Sequence, residues 1–172
     1  AIGVSNTTTG DYSIAGGYNN IASAADSTAL GQNSTASAAN AVALGNTATA
    51  SAANSIALGS NATASTANSV ALGAGSVTGT VHTDSAAQSI TLKGTTYTFA
   101  GQASASAGTV SVGSAGNERQ IQNVAAGDVT ATSTDAVNGS QLYAVAQSVG
   151  GDISNINNEI NDLGDRVDLG GR

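Results

Sequence analysis

The sequence predicts a mainly β protein: a repetitive β-roll, a second small β module, and a C-terminal coiled-coil segment that pairs with copies of itself. Three observations carry this. Glycine recurs at Gly3, Gly17, Gly31, Gly45, Gly59 and Gly73, always fourteen residues apart. Short alternating phrases precede the later glycines: Ala41-Val42-Ala43-Leu44, Ser55-Ile56-Ala57-Leu58 and Ser69-Val70-Ala71-Leu72. From Leu142 onward the fourteen-residue period gives way to heptads. A fixed period of this kind points to stacked coils, each too small to bury a core alone.

Composition agrees. Leu, Ile, Val and Phe make up less than a fifth of the 172 residues, yet only 9% are charged. Disorder usually combines low hydrophobicity with high charge, so low charge and strict period together indicate thin-cored repetitive β structure. Neighbouring coils or neighbouring chains must supply the missing burial. The net charge is −7, and the only bases are Lys93, Arg119, Arg166 and Arg172. Binding nucleic acid through phosphates needs clustered Lys and Arg, so that partner is excluded. No apolar run approaches the ~18 residues of a membrane span. Without cysteine there is no disulfide framework or thiolate chemistry. Ala1 is not a natural start and no signal peptide follows it, so an internal piece of a longer chain is expected.

Residues 1–79 carry the repeat. In the copy from Gly45 to Leu58, Asn46-Thr47 and Ala53-Asn54 are turn signals, and Ala48 to Ala52 and Ser55 to Leu58 alternate as strands. Two strands and two turns in fourteen residues make one coil of a β-roll. Alternation sets Ile56 and Leu58 on one face and Ala57 on the other. Likewise it separates Ala48, Ala50 and Ala52 from Thr49 and Ser51. The expectation is that the aliphatics and the short-strand alanines fill a narrow interior. Thr35, Thr49 and Thr63 would form an outward ladder, and the small face of Ala43, Ala57 and Ala71 would let a second roll approach. Asn40, Asn54 and Asn68 share a column with Asp26. The end coils are eroded, with Gly16 in the Leu column and Val77 in the Thr column.

Residues 80–116 break the period. Ser89 to Phe99 reads as a hairpin turning at Lys93–Thr95, with Ile90 and Leu92, then Tyr97 and Phe99, alternating. Thr109 to Gly113 is a further short strand, and residues 102–108 are loop-like. In residues 117–143, Thr134 is a candidate helix N-cap. Beyond it, Leu142, Val149, Ile156 and Leu163 are spaced by seven, with Ala146, Ile153, Ile160 and Val167 as the partner column. These are d and a positions. Isoleucine in both favours three or four strands over two. With such thin single-chain cores, a parallel homotrimer is expected.

No reactive constellation is visible. His82 with Asp84 is the only His–acid neighbourhood, and serine catalysis needs a base and an orienter meeting in space. One histidine and no cysteine cannot supply the four ligands of a structural zinc site. Gly73-Ala74-Gly75 lacks the third glycine and the lysine of a phosphate loop. The acids from Asp152 to Asp168 are read as solvating a helix face, with an ion bound on the helix-bundle axis as the alternative. No catalytic residue, metal or cofactor is assigned, and the chain reads as a non-enzyme.

Asn68-Ser69-Val70-Ala71-Leu72-Gly73 resembles the head repeat of YadA-like trimeric autotransporter adhesins. Residues 117–143 closely resemble the neck of that family. The helix that begins at Gln141-Leu142-Tyr143 resembles its stalk, and 80–116 looks more loosely like its small accessory head modules. The resemblance divides the chain into a head (1–79), an accessory head module (80–116), a neck (117–143) and a stalk start (144–172). It implies three chains forming left-handed parallel β-rolls, a neck and a parallel trimeric coiled coil. It further implies a bacterial cell-surface protein anchored to the outer membrane by a part outside this sequence. Its partners would be host extracellular matrix, such as collagen, or a host cell-surface receptor. Ligand contact in the family's head repeats carries over here to Asn40, Val42 and Gly45, to Asn54, Ile56 and Gly59, and to Asn68, Val70 and Gly73. This sequence departs from the family in having Leu44, Leu58 and Leu72 where Ile is frequent, and Ala41 where Ser is.

Three other functions compete. A purely structural spacer of a longer adhesin would have the same repeat. An ice-binding β-solenoid is suggested by Thr47-x-Thr49, but the neighbouring coils pair Asn33 with Thr35 and Asn61 with Thr63. A β-helix carbohydrate-active enzyme needs paired carboxylates, and residues 1–79 contain only Asp11 and Asp26.

Overall fold

The computed structural model describes residues 1–171, which divide into two compact units at the Gln120–Ile121 bond. The first unit opens with β1 (Ile2–Val4), β2 (Thr7–Thr8), β3 (Ile14–Tyr18), β4 (Ile21–Ala22), β5 (Thr28–Gln32) and β6 (Thr35–Ala36). It continues with β7 (Val42–Leu44), β8 (Thr49–Ala50), β9 (Ile56–Leu58), β10 (Thr63–Ala64) and β11 (Val70–Leu72). Odd-numbered strands stack in parallel as one sheet, and even-numbered strands from β2 to β10 stack as a second. The register between neighbours is always one coil: Val42 lies beside Ile56, and Ile56 beside Val70. This is the β-roll that the fourteen-residue period predicts.

Why the chain turns so sharply is written in its backbone. Every seventh residue from Ser5 to Asn68 is left-handed, with φ between 54° and 59°. Asn and Asp tolerate that conformation best among non-glycine residues, and they hold seven of these ten positions. Each coil is thus two half-coils. The glycine column serves a different need. At Gly45 a Cβ would lie 2.7 Å from the Gly59 carbonyl, and φ there is +129°. A side chain would be strained and would push the coils apart.

The interior overturns one expectation. Every buried hydrophobic residue among those described is alanine, and the largest fully buried side chain is Asn20. Ala48 and Ala50 do point inward. On the longer strands, however, it is Ala43, Ala57 and Ala71 that are fully buried, while Ile56, Leu58 and Leu72 remain 36–43% exposed. The small face is therefore the core, and the aliphatic face is outside. Two half-coils of seven residues hold their sheets so close that, Asn20 apart, the fully buried side chains carry only methyls and hydroxyls. Strand alternation then sends both neighbours of Ala57 outward.

After β11 the chain makes one more turn, in which Val77 bridges to Thr63, and then leaves the roll. A single turn of helix, α1 (Ser85–Gln88), is capped by Asp84, which accepts from Ala87 N. The hairpin β12 (Ser89–Leu92) and β13 (Thr95–Thr98) follows, joined by Lys93-Gly94 with φ of 49° and 80°. Positive φ at both central residues is what a two-residue hairpin turn requires. β14 (Val110–Ser111) then returns to pair in parallel with β11 as the seventh strand of the long sheet.

In the second unit, residues 121–138 are irregular and lead into α2 (Gly139–Gly170). The helix begins four residues later than a Thr134 cap would place it. Asn138 is the N-cap: its side chain accepts from Gln141 N, and the Gln141 side chain accepts from Asn138 N, a reciprocal capping box. Gln141 also donates to Gly127 O at 2.7 Å, and Asn138 donates to Val124 O at 3.0 Å. These bonds fix the preceding loop to the helix start, and Thr134 offers no such pair.

Candidate functional site

Stacking at fixed register turns each repeated residue into a column. Asn40 Nδ2 donates to Asn54 Oδ1 at 2.9 Å, and Asn54 Nδ2 to Asn68 Oδ1 at 2.9 Å. Asn68 Nδ2 ends the ladder on the Ser106 carbonyl at 2.7 Å. All three asparagines are exposed, and all three sit at left-handed turn positions. Their identity is first a backbone requirement, and their side chains are largely occupied with each other. Two strand positions further on, Val42, Ile56 and Val70 form an outward apolar column. At the far end of the same strands lie Gly45, Gly59 and Gly73, which bring backbone close to backbone. The nine residues thus lie on three parallel columns that run from one turn to the next. The clefts beside Arg119, along α2 and around Val124 are lined by other residues.

The short-strand face carries Ile21, Thr35, Thr49, Thr63 and Val77 in one file. Three threonines in single file do not make the broad paired array that the ice-binding reading needs.

At the end of the roll stands Arg119, to which no role attaches from sequence alone. Arg119 donates from Nη1 to Ser76 Oγ at 3.0 Å and to Val112 O at 2.9 Å, and from Nη2 to Ala74 O at 2.6 Å. A cleft of about 350 Å³ beside it is lined by Val77, Ser111, Val112, Gly113 and Glu118. The Glu118 carboxyl is held below its ordinary range by its own backbone N–H and that of Gly116. Arg119 is the only base between Lys93 and Arg166.

The helix presents its seam. Leu142, Val149, Ile153, Ile156, Ile160, Leu163 and Val167 are 51–68% exposed, and Ala146 is exposed beside them. Elsewhere, Asp84 accepts from Ala87 N at the α1 cap. Among the described residues no group of three or more His, Cys, Asp and Glu could hold a metal ion. Among them, too, no helix is long and apolar enough to cross a membrane.

Fold and surface together define a class: a parallel β-solenoid displaying repeated side-chain columns, joined to a heptad helix. The model of the YadA head domain repeat matches residues 1–20, 22–48 and 50–76, and that of the coiled stalk of trimeric autotransporter adhesin matches residues 120–165. The chain belongs to the YadA-like trimeric autotransporter adhesins. It is 56% identical over 64 residues to the autotransporter adhesin BtaE of Brucella suis biovar 1 (strain 1330), covering 37% of this chain and 8% of that protein. Over 29 residues it is 76% identical to the trimeric autotransporter adhesin AtaA of Acinetobacter sp. (strain Tol 5), covering 17% of this chain and 1% of that one. Among solved structures, the C-terminal YadA-like domain of BPSL2063 from Burkholderia pseudomallei superposes with a TM-score of 0.57 at 44% identity. That match covers 72% of this chain and 52% of the other. The chain therefore spans a small part of its curated relatives and about half of the solved one.

Proposed function

We propose that this chain is the head-to-stalk portion of a non-catalytic homotrimeric adhesin that holds a bacterium to host matrix or host cells. It would stand at the bacterial surface, tied to the outer membrane by another part of the protein. The observation that carries the reading is the roll interior. A core of alanine and serine leaves Val42, Leu44, Ile56, Leu58, Val70 and Leu72 facing out, where apolar burial could come only from another chain. Burial scales with apolar area, at ~25 cal/mol per Å², so alanine methyls alone contribute little. The seam of α2 calls for the same partner.

Adhesion would run through repetition. Asn40, Val42 and Gly45, with their equivalents Asn54, Ile56, Gly59, Asn68, Val70 and Gly73, remain the proposed contact columns. The valine and isoleucine column is shared between this role and chain-to-chain burial, so the asparagine ladder is the part open to a ligand. Exposed amides already bonded to one another gain little by exchanging water for ligand. A fibrous or repetitive ligand, engaged by three copies at once, would turn such contacts into useful avidity.

The test is binding of the trimer to a panel of immobilised matrix proteins and cultured host cells, with glycan hydrolysis assayed alongside. Saturable binding to one fibrous ligand, without turnover, is the expected result. Absence of binding across the panel would leave the spacer role in its place.

A further inference from the structure

We propose that the apolar face of the β12–β13 hairpin is a contact between subunits, covered by residues 1–116 of a second copy of this chain. Ile90 lies directly across from Tyr97, and Leu92 across from Thr95. Strand alternation places Leu92 and Phe99 on the same face as that pair. Ile90, Leu92, Tyr97 and Phe99 are 43–55% exposed. The chain's one phenylalanine and one of its four tyrosines are therefore gathered on a two-stranded ribbon. The opposite face is Ser89, Thr91, Thr96 and Thr98, with Thr91 and Thr96 hydrogen-bonded to each other at 2.9 Å. This is an amphipathic sheet that lacks a second layer. Among the described elements outside the hairpin, α1 makes the main contact with it, and α1 contains no buried residue.

An isolated hairpin is marginal in water, and a third strand or a packed layer is needed to hold it. The cover must therefore be permanent, which a host ligand met only at attachment is not. A second copy is. Two further observations favour it. The chain leaves the roll beyond Val77, which bridges to Thr63, and returns from the hairpin as β14, beside β11 in the sheet whose outward side carries Leu58, Leu72 and Val110. Its return strand therefore extends the same apolar surface that the trimer reading, on which this inference rests, gives to neighbouring chains. Charge points the same way. Within residues 1–116 the charged side chains are Asp11, Asp26, Asp84 and Lys93. Lys93 sits at the hairpin tip and forms no ion pair among the described residues. A second copy of the head offers that cation three acids and only one base, the Lys93 of its own hairpin.

The test uses the whole chain, with Tyr97 and, separately, Phe99 replaced by p-benzoylphenylalanine, and an equal mixture of unlabelled and nitrogen-15 subunits. Light scattering fixes the oligomer before irradiation. Mixed-isotope crosslinks from both positions into residues 1–116, in a verified trimer, are the expected result. A verified trimer whose crosslinks are all within one chain, or absent at both positions, overturns this inference and leaves the trimer standing. A monomer overturns both. Crosslinks that appear only when a matrix protein is added overturn it in favour of a ligand site. An Ile90→Ser, Tyr97→Ser, Phe99→Ser chain gives a second reading. Its trimer should melt several degrees lower with unchanged sheet content, and an unshifted melting temperature would overturn the inference.

Discussion

At Gly73 the guanidinium of Arg119 stands where the backbone of the next coil stands at Gly59. A Cβ on Gly59 would meet Gly73 C at 2.6 Å, and a Cβ on Gly73 would meet Arg119 Nη1 at 3.0 Å. The roll thus ends on a side chain that imitates a further coil and serves Ser76 Oγ, Ala74 O and Val112 O. Solenoids need such capping because each coil satisfies its neighbour.

Arg119→Ala should therefore destabilise the first unit by about 1.5–3 kcal/mol, the range for hydrogen bonds from a charged group. Arg119→Lys should recover less than half, since an ammonium cannot span the acceptors that the guanidinium fork reaches. Thermal melting followed by circular dichroism reads both. A neutral Arg119→Ala would mean that water satisfies these carbonyls equally well.

The inverted interior gives a sharper contrast. Ala57→Leu inserts a large side chain between sheets that hold only alanine and serine there, and should cost about 1–3 kcal/mol or more. Ile56→Ser removes an outward aliphatic group. It should leave the coil intact and weaken association of chains instead. Melting temperature and light scattering over a dilution series separate the two. If Ala57→Leu is the milder change, the faces have been assigned the wrong way round.

Much of this was legible in the sequence. The period fixed coil length, register and the two turns, and Asn54 and Thr47 fall at left-handed positions as their turn signals imply. The heptads of Leu142 to Val167 lie on one continuous helix. What could not be read was which face of β9 is buried, because Ile56-Ala57-Leu58 alternates identically under either choice. The deciding quantity is the gap between sheets, set by turns seven residues apart. Column composition held a hint: Ala15, Ala29, Ala43, Ala57 and Ala71 never vary, whereas Ile14, Thr28, Val42, Ile56 and Val70 do. Arg119 was missed for another reason. Its acceptors at Ala74 and Ser76 lie more than forty residues away, and no local pattern announces a long-range cap.

Deletion of whole coils tests the repeat. Removing Gly31–Leu44 brings Gly45 beside Gly17 and long strand beside long strand, so β content should survive with a modest fall in melting temperature. Removing only residues 31–37 keeps turn over turn, since left-handed positions recur every seven. It stacks long strands on short ones and puts Ala38 where φ near +134° is required. Loss of the cooperative transition is expected. Equal behaviour of the two deletions would mean that the half-coil, and not the coil, is the structural unit.

The helix seam decides whether adhesion depends on valency. Ile153, Ile156 and Ile160 are 53–60% exposed on α2, and charges placed there cannot be buried against a neighbour without several kcal/mol of desolvation. A chain with Ile153→Asp, Ile156→Asp and Ile160→Asp should fail to trimerise, while its roll, held by local parallel pairing, keeps its sheet signal. On an immobilised fibrous ligand its apparent affinity should fall at least about tenfold, because linking weak sites commonly gains a factor of a hundred or more. The monomer must be verified at the concentration of the binding assay, since the aliphatic face of the roll can itself draw chains together. Equal binding by a verified monomer would place the whole site within one chain, and the contact columns would then have to reach useful affinity alone. That outcome would move attention from the asparagine ladder to a larger contact carried by one chain alone.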